Sequence, residues 1–502
     1  MFQIQRTRIK TKMECEMMNK IVASQKKMAE LWKWSASNLA RGIRTKEISS
    51  REAVISCLDR IEQVNPKLNA IVEVLTEEAL KAADDADRAV SNGQALGPLH
   101  GVPVATKINT DQAGHVTTDG VPAFKNNMAK TDGAPIANLR KAGAVFIGRT
   151  NVPAFSLRWF SSNDLYGKTL NPWDAGRTPG GSSGGSASAV ASGMVPIAHG
   201  NDLGGSIRYP AYASGIVGIR PTLGRVPNES GPPGAPHLER SLSFQTMSVH
   251  GPLARNVADL RLALTSMSNY QPSDPFHAQV PFIGEPLGKP IKVGLLRDVG
   301  IAQSTFEVNQ ALDKAANHLR NAGYIVEEVE LPLFAEAHKL WLLLVLEDLR
   351  DKKSEMEKLG GDEIGLCIQY YLEVGKEIWG ETTLEKFKHG YTRRFTLMAK
   401  LQQFLQKYPL LLLPNSSEQA FKHNEDIESL DRHRRLLAAQ WPMISIPVLG
   451  FPAMSVPVSI DNGLPSGVQL LGRRFREDTI LDAAEIIEAQ THAMTPIDPL
   501  FN

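Results

Sequence analysis

Residues 179–193 read PGGSSGGSASAVASG, five glycines and five serines in fifteen positions. A flexible linker of that composition has no reason to turn into a helix. Here Ser186–Met194 (SASAVASGM) is an Ala-rich run with Gly193 near its end, which reads as a helix with its stop signal. The segment is therefore expected to be a tight loop feeding a helix N-terminus, where N–H groups without intrahelical partners point outward.

The rest of the chain alternates between strand and helix patterns. Ser49-Ser50-Arg51-Glu52 is a capping box followed by Ala53, Val54, Cys57, Leu58 and Ile61 at helical spacing,. Further helices are expected from Thr76 to about Val90, from Pro135 to Gly143, near 306–321 and from Asp478 to Glu488. Strands are expected at 101–107, 144–148, 291–296, 324–331, 410–414, 443–448, 453–458 and 467–472, with another after Met194. The apolar run Leu340–Leu346 (LWLLLVL) reads as a buried helix. This alternation predicts an α/β fold: a single large domain over 31–502, with a central mixed, twisted β-sheet covered by helices on both faces. Residues 228–240 read as a long loop. The basic residues 1–30 are expected to be a disordered extension or an over-extended start, with the initiator near Met18,.

Composition excludes several functions. A formal net charge of +1 gives no electrostatic argument for nucleic acid or an acidic membrane surface,. No apolar run approaches the length of a membrane span. The three cysteines (Cys15, Cys57, Cys367) form no CxxC pair, which excludes a thiolate zinc site or disulfide framework and fits a reducing, cytoplasmic setting. The twelve histidines form no HExxH or H-x-H pattern, so no metal is expected.

Gly180-Gly181-Ser182-Ser183-Gly184 satisfies G-x-S-x-G, but that elbow needs a strand before it and NPWDAGRTP is a turn-rich segment,. A P-loop fails because no Gly-Lys-Ser/Thr closes the motif. Ser24 and Lys27 match a serine–lysine dyad with no companion motif. His199 is either a base or a histidine hydrogen-bonded in place at a strand end. A second glycine-supported serine occurs in Leu203-Gly204-Gly205-Ser206. Consecutive N–H groups there form either an anion-binding nest of the kind an oxyanion hole requires or a turn that Ser206 merely caps. Serine needs a proton acceptor, and Lys107, at the end of an apolar strand, is a candidate whose neutral amine burial would favour.

Three separated pieces, "GVPVATK", "GGSSGGS" and "GNDLGGSIRYPA", together resemble the amidase signature family, which uses a Ser–cis-Ser–Lys triad. The intervals agree with the resemblance: 75 positions from Lys107 to Ser182 and 24 from Ser182 to Ser206. The flanking text "GRTNVPAF", "GKTLNPWDAGRTP" and "GIVGIRPTLGRVP" is similar too, and the likeness runs from about 35 to 495.

The resemblance implies that Ser206 is the nucleophile, that Ser182 on a cis peptide relays the proton, and that Lys107 is the base. Leu203, Gly204, Gly205 and Ser206 would supply an oxyanion hole, with no metal or cofactor. It further implies hydrolysis of a linear carboxylic amide to an acid plus ammonia or an amine. Alternatives on the same chemistry are cyclic-amide, oligoamide or aryl acylamide hydrolysis and the glutaminase subunit of a tRNA-dependent amidotransferase. A non-catalytic binding protein on the same scaffold is a reading of a different class. The partner is a small-molecule amide, and a homodimer is compatible with the sequence.

The chain departs from the family pattern at Ile108, where an acidic residue commonly follows the lysine, and at Asn201-Asp202-Leu203, where Ser-Asp-Thr is common. Asp202 and Arg208 are expected to form a structural ion pair. Trp159, Gly181, Tyr209 and Tyr212 are candidates for the substrate pocket.

Overall fold

A computed structural model of the protein describes residues 30–228, 231 and 239–501. The N-terminal extension up to residue 29, with Cys15, Ser24 and Lys27, lies outside the described residues, as does most of the expected loop at 228–240.

One mixed sheet of eleven strands runs through the molecule. In chain order the strands are β1 (Ile71–Val74), β2 (Pro103–Lys107), β3 (Val145–Thr150), β4 (Ile197–Asp202), β5 (Val217–Arg220) and β6 (Val249–Ala254). They continue as β7 (Lys292–Leu295), β8 (Ile325–Glu328), β9 (Leu410–Pro414), β10 (Ala453–Asp461) and β11 (Leu464–Gly472). Their spatial order is β1-β3-β2-β4-β6-β5-β10-β11-β9-β7-β8. β3, β2 and β4 run parallel, as do β9, β7 and β8 at the far side, and antiparallel pairs join the two sets.

The sheet is covered on both faces, and the period-2 alternation of strand side chains shows it. Val104 and Ile197 enter one core with the helices Ala36–Arg44 and Val257–Met267, while their neighbours Ala105 and Ala198 enter another with Ser50–Leu68 and Gly184–Ala191. At the other end Leu410 and Leu412 face the first core and Leu411 and Leu413 a third, built on the helix Leu333–Arg350. Strands buried on both faces read as continuous apolar runs, which is why they stood out in the sequence.

The Ser49 capping box forms as expected: Glu52 N–H donates to the Ser49 hydroxyl at 3.0 Å and Ser49 N–H to the Glu52 carboxylate at 2.7 Å. The helix Phe306–Asn321 spans the expected residues, and Leu340–Leu346 lies buried in the helix Leu333–Arg350. Among the described residues no helix is long and apolar enough to cross a membrane.

One strand expectation is corrected. Residues 443–448 belong to the helix Trp441–Leu449, every residue of which is buried. A short, wholly apolar run carries no period to separate strand from helix. Pro442 sits at the first turn, where its missing N–H costs nothing,. Pro447 deprives the Met443 carbonyl of its intrahelical donor, and Arg208 replaces it, donating from Nη2 to that oxygen at 2.8 Å. The broken bond thereby becomes an anchor for the loop described next.

Candidate active site

The site lies at the carboxyl ends of the adjacent parallel strands β2 and β4, where open α/β sheets leave a crevice,. Lys107 is the last residue of β2 and is fully buried. Its ammonium nitrogen donates to the Ser182 hydroxyl at 2.7 Å and to Asn201 Oδ1, near the end of β4, at 2.6 Å. Burial in this apolar setting pulls Lys107 down from 10.5 to about 7, against the opposing pull of the Asp119 and Asp202 carboxylates,. A neutral amine is accessible there at neutral pH.

Ser182 belongs to the glycine-rich loop, which leads into the helix Gly184–Ala191 as its composition requires. The Gly181–Ser182 peptide bond is cis. Ser183 N–H donates to the Ser206 carbonyl at 3.1 Å, tying this loop to the one that carries the second serine. Ser186 links β4 and β3, donating to the His199 carbonyl at 2.9 Å and bonding the Thr150 hydroxyl at 2.7 Å.

Ser206 follows β4 in a turn before the helix Arg208–Ser214. Its hydroxyl forms no hydrogen bond among the described residues, and both Ser206 and Ser182 line a cavity of about 390 Å³. Two indoles hold the turn by its carbonyls: Trp159 Nε1 donates to Gly204 O at 2.9 Å and Trp341 Nε1 to Leu203 O at 3.1 Å. With the carbonyls pulled back, the N–H groups of Leu203, Gly204 and Ser206 donate to no acceptor among the described residues. The N–H of Gly205 is engaged, donating to Asp202 Oδ1 at 3.0 Å, which removes it from the four expected oxyanion donors. Gly205 has φ of +97°, and a Cβ there would lie 2.6 Å from Met443 Cβ on the helix anchored by Arg208,.

Asp202 is the hub of that turn. Arg208 donates to both its carboxylate oxygens at 3.0 Å, and Arg220 Nη1 donates to its main-chain carbonyl at 2.5 Å. Although burial opposes it, the paired guanidinium groups hold Asp202 down at about 2. The ion pair is structural, as its flanking position suggested.

His199 is locked in place. Lys107 N–H donates to its Nδ1 at 3.4 Å, its Nε2 meets His250 Nδ1 at 2.9 Å, and His250 Nε2 meets Asn228 Oδ1 at 2.9 Å. Only two neutral rings satisfy that chain. Burial, with Lys107 beside it, pushes His199 down to about 3.

Of the pocket candidates, Trp159 borders a small recess beside Ser206 with Trp341 and Tyr371. Gly181 and Tyr209 do not line the cavity, nor does Tyr212. A Cβ on Gly181 would run into the backbone of Arg158 and Trp159, and Tyr209 is wholly buried against Phe421, accepting its N–H at 3.1 Å. The cavity's apolar wall is instead Phe124, Phe155, Leu157, Phe244, Met356 and Leu359, and the charged side chains Glu239, Arg240, Asp348, Lys352 and Glu355 line it as well. Those residues, with Asn109, Asp119 and Ser156, escape sequence reasoning because no spacing links them to the serines. Asn109, two positions after the lysine, carries the only local signal.

A family model described as Amidase matches residues 52–481. The chain is 41% identical over 465 residues to an indoleacetamide hydrolase of Bradyrhizobium diazoefficiens, covering 91% of this chain and 86% of that one. It is 33% identical over 492 residues to one subunit of the glutamyl-tRNA(Gln) amidotransferase of Carboxydothermus hydrogenoformans, covering 92% and 98%. Among solved structures, that of 6-aminohexanoate cyclic dimer hydrolase complexed with substrate is similar with a TM-score of 0.78 at 26% identity, over 94% and 99% of the two chains. A likeness that spans nearly the whole chain and the whole of its relatives makes this protein a member of the amidase signature family and an amide hydrolase.

Proposed function

We propose that the protein hydrolyses a linear amide through an acyl-enzyme on Ser206, with Ser182 as proton relay and Lys107 as base. The observation that carries the reading is the 2.7 Å hydrogen bond from Lys107 Nζ to Ser182 Oγ, at an amine that no carboxylate bonds among the described residues. Neutral Lys107 takes the Ser182 proton as Ser182 takes that of Ser206, and Ser206 Oγ bonds to the amide carbon. The carbonyl π electrons move to oxygen, facing the N–H groups of Leu203, Gly204 and Ser206. When the oxyanion collapses, the C–N bond breaks and the leaving nitrogen takes a proton from Lys107 through Ser182. Water then attacks the ester, loses its proton by the same route, and releases the acid and the Ser206 hydroxyl.

The acyl group of the substrate is proposed to carry an aromatic ring on a short arm, with ammonia as the leaving group. Support comes from the three phenylalanines and aliphatic side chains that form the apolar part of the cavity wall, and from the 41% identity to an indoleacetamide hydrolase. A fluorophosphonate probe followed by peptide mapping tests the chemistry, and modification at Ser206 is the expected result. Ammonia release from indole-3-acetamide, benzamide, glutamine and a cyclic diamide tests the substrate class, with the arylacetamide fastest. An unmodified Ser206 would overturn its role as the nucleophile.

A further inference from the structure

Lys107 is a buried amine with no carboxylate bonded to it among the described residues. Ile108 beside it is apolar and fully buried, and the Asp202 carboxylate is occupied by arginines. Yet an unbroken hydrogen-bonded chain leads from the amine to a carboxylate on the cavity wall. Lys107 Nζ donates to Asn201 Oδ1 at 2.6 Å, and Asn201 Nδ2 donates to Asn109 Oδ1 at 2.9 Å. Asn109 Nδ2 donates to Ser156 Oγ at 2.9 Å, whose hydroxyl donates to Asp119 Oδ1 at 2.6 Å. These four hydrogen bonds run the same way, against one longer back-contact from Asn109 Nδ2 to Asn201 Oδ1 at 3.4 Å, so their dipoles add and the line is polarised from an ammonium at one end to a carboxylate at the other,. Asp119 is held on its turn with φ of +48°, its carbonyl accepting Phe155 N–H at 2.9 Å.

We infer that Asp119 is a positioning residue of the amide-cleaving site: the remote counter-charge that, through Ser156, Asn109 and Asn201, favours protonated Lys107 and so sets the pH at which the lysine becomes a base. The inference rests on the proposed role of Lys107. The groups facing the amine are Ser182 and Asn201 by contact and Asp119 and Asp202 through space, with the neutral His199 ring against its backbone. Those facing Asp119 are Ser156, Lys107 and Arg240. Asp202 is saturated by two arginines, which leaves Asp119 as the carboxylate whose loss the amine registers. Burial raises Asp119 to about 7 despite the Ser156 hydroxyl and the Lys107 charge, so the two ends titrate over the same range.

The test is the pH dependence of Ser206 modification by a fluorophosphonate, which needs no knowledge of the substrate, together with kcat/KM for the uncharged indole-3-acetamide. Asp119→Asn keeps the acceptor for Ser156 and removes the charge. Its acid limb is expected to move to lower pH by about one unit, the low end of the effect of a nearby opposite charge. On the acid side that is roughly tenfold faster labelling than the parent at the same pH. A limb that does not move overturns the inference. So does a limb that stays put while KM rises for a cationic amide such as lysinamide, because Asp119 is then a substrate-binding group. Should D119N fail to fold, Ser156→Ala breaks the chain instead, and its limb is expected to move the same way; an unmoved limb again overturns the inference. Lys107→Ala separates the two readings: if it retains the parent rate and limb, the proposed base is wrong, whereas an inactive K107A beside an unmoved D119N limb sinks only the role of Asp119.

Discussion

Two buried charge clusters meet at consecutive residues of β4, Asn201 bonded to Lys107 and Asp202 to its arginines, and are treated in opposite ways. Around Asp202 the carboxylate is fully met: Arg208 donates to both its oxygens, Arg220 Nη1 lies 3.5 Å from Oδ1 and the Gly205 N–H donates to it, and it is held ionised down to about pH 2. Around Lys107 the charge is met only by a hydroxyl and an amide oxygen, and the amine falls to about 7. Full pairing makes a brace, because neither proton nor partner can leave without exposing an uncompensated charge. Incomplete pairing makes a reactive group, because both protonation states are within reach at neutral pH. The brace supports the reactive group: Asp202 takes the Gly205 N–H and so shapes the turn that presents Ser206.

The contrast can be broken from either side, and the largest effect is expected at the nucleophile. Ser206→Ala should abolish turnover and fluorophosphonate labelling while the circular dichroism spectrum is unchanged, since the hydroxyl bonds nothing else. Lys107→Ala should lower kcat/KM by about 10²–10⁴, the usual contribution of a positioned base, and single-turnover kinetics would place the loss in acylation. On the structural side, Asp202→Asn strands Arg208 and Arg220 and should cost about 3–5 kcal/mol in denaturant unfolding.

The pH dependence of stability sharpens the same contrast: both contributions rise with pH, but Lys107 costs stability below its window whereas Asp202 contributes stability above its own,. Lys107 is at about 7 when folded against 10.5 as its ordinary value. Between those limits the unfolded chain holds more protons, so its contribution to stability rises with pH across that window. Lys107→Met should flatten that slope and be more stable than the parent at pH 7. Asp202 is depressed from 3.8 to about 2. Its stabilisation is complete above about pH 4 and is lost as pH falls through about 2. The smallest effect is expected from Trp341→Phe, which deletes the N–H to Leu203 O and should cost about 1 kcal/mol of transition-state stabilisation, roughly fivefold in kcat,.

How much was legible follows from where the information is local. The glycine-rich loop announced itself because glycine and serine at that density, followed at once by alanine, serve few other purposes. The β9 strand was legible because burial on both faces leaves an unbroken leucine run, and β2 because its apolar start carries polar residues only at its end, Thr106 and Lys107. The helix at 441–449 was misread for the same reason: an all-apolar segment is equally at home in either structure, and the carbonyl of Met443 that Pro447 leaves open is capped by Arg208, 235 positions away. Tyr209 and Gly181 were placed near substrate by proximity in sequence, and packing against Phe421 and Arg158 turned both away.

The sequence by itself determined the layered α/β architecture and the order and spacing of Lys107, Ser182 and Ser206, because alternation of apolar runs and glycine-supported turns are properties of neighbouring residues. Tertiary structure alone decided which N–H groups stay open, which charges are answered, and which carboxylate the lysine senses. Those are matters of distance between residues far apart in the chain, and a buried proton responds to distance.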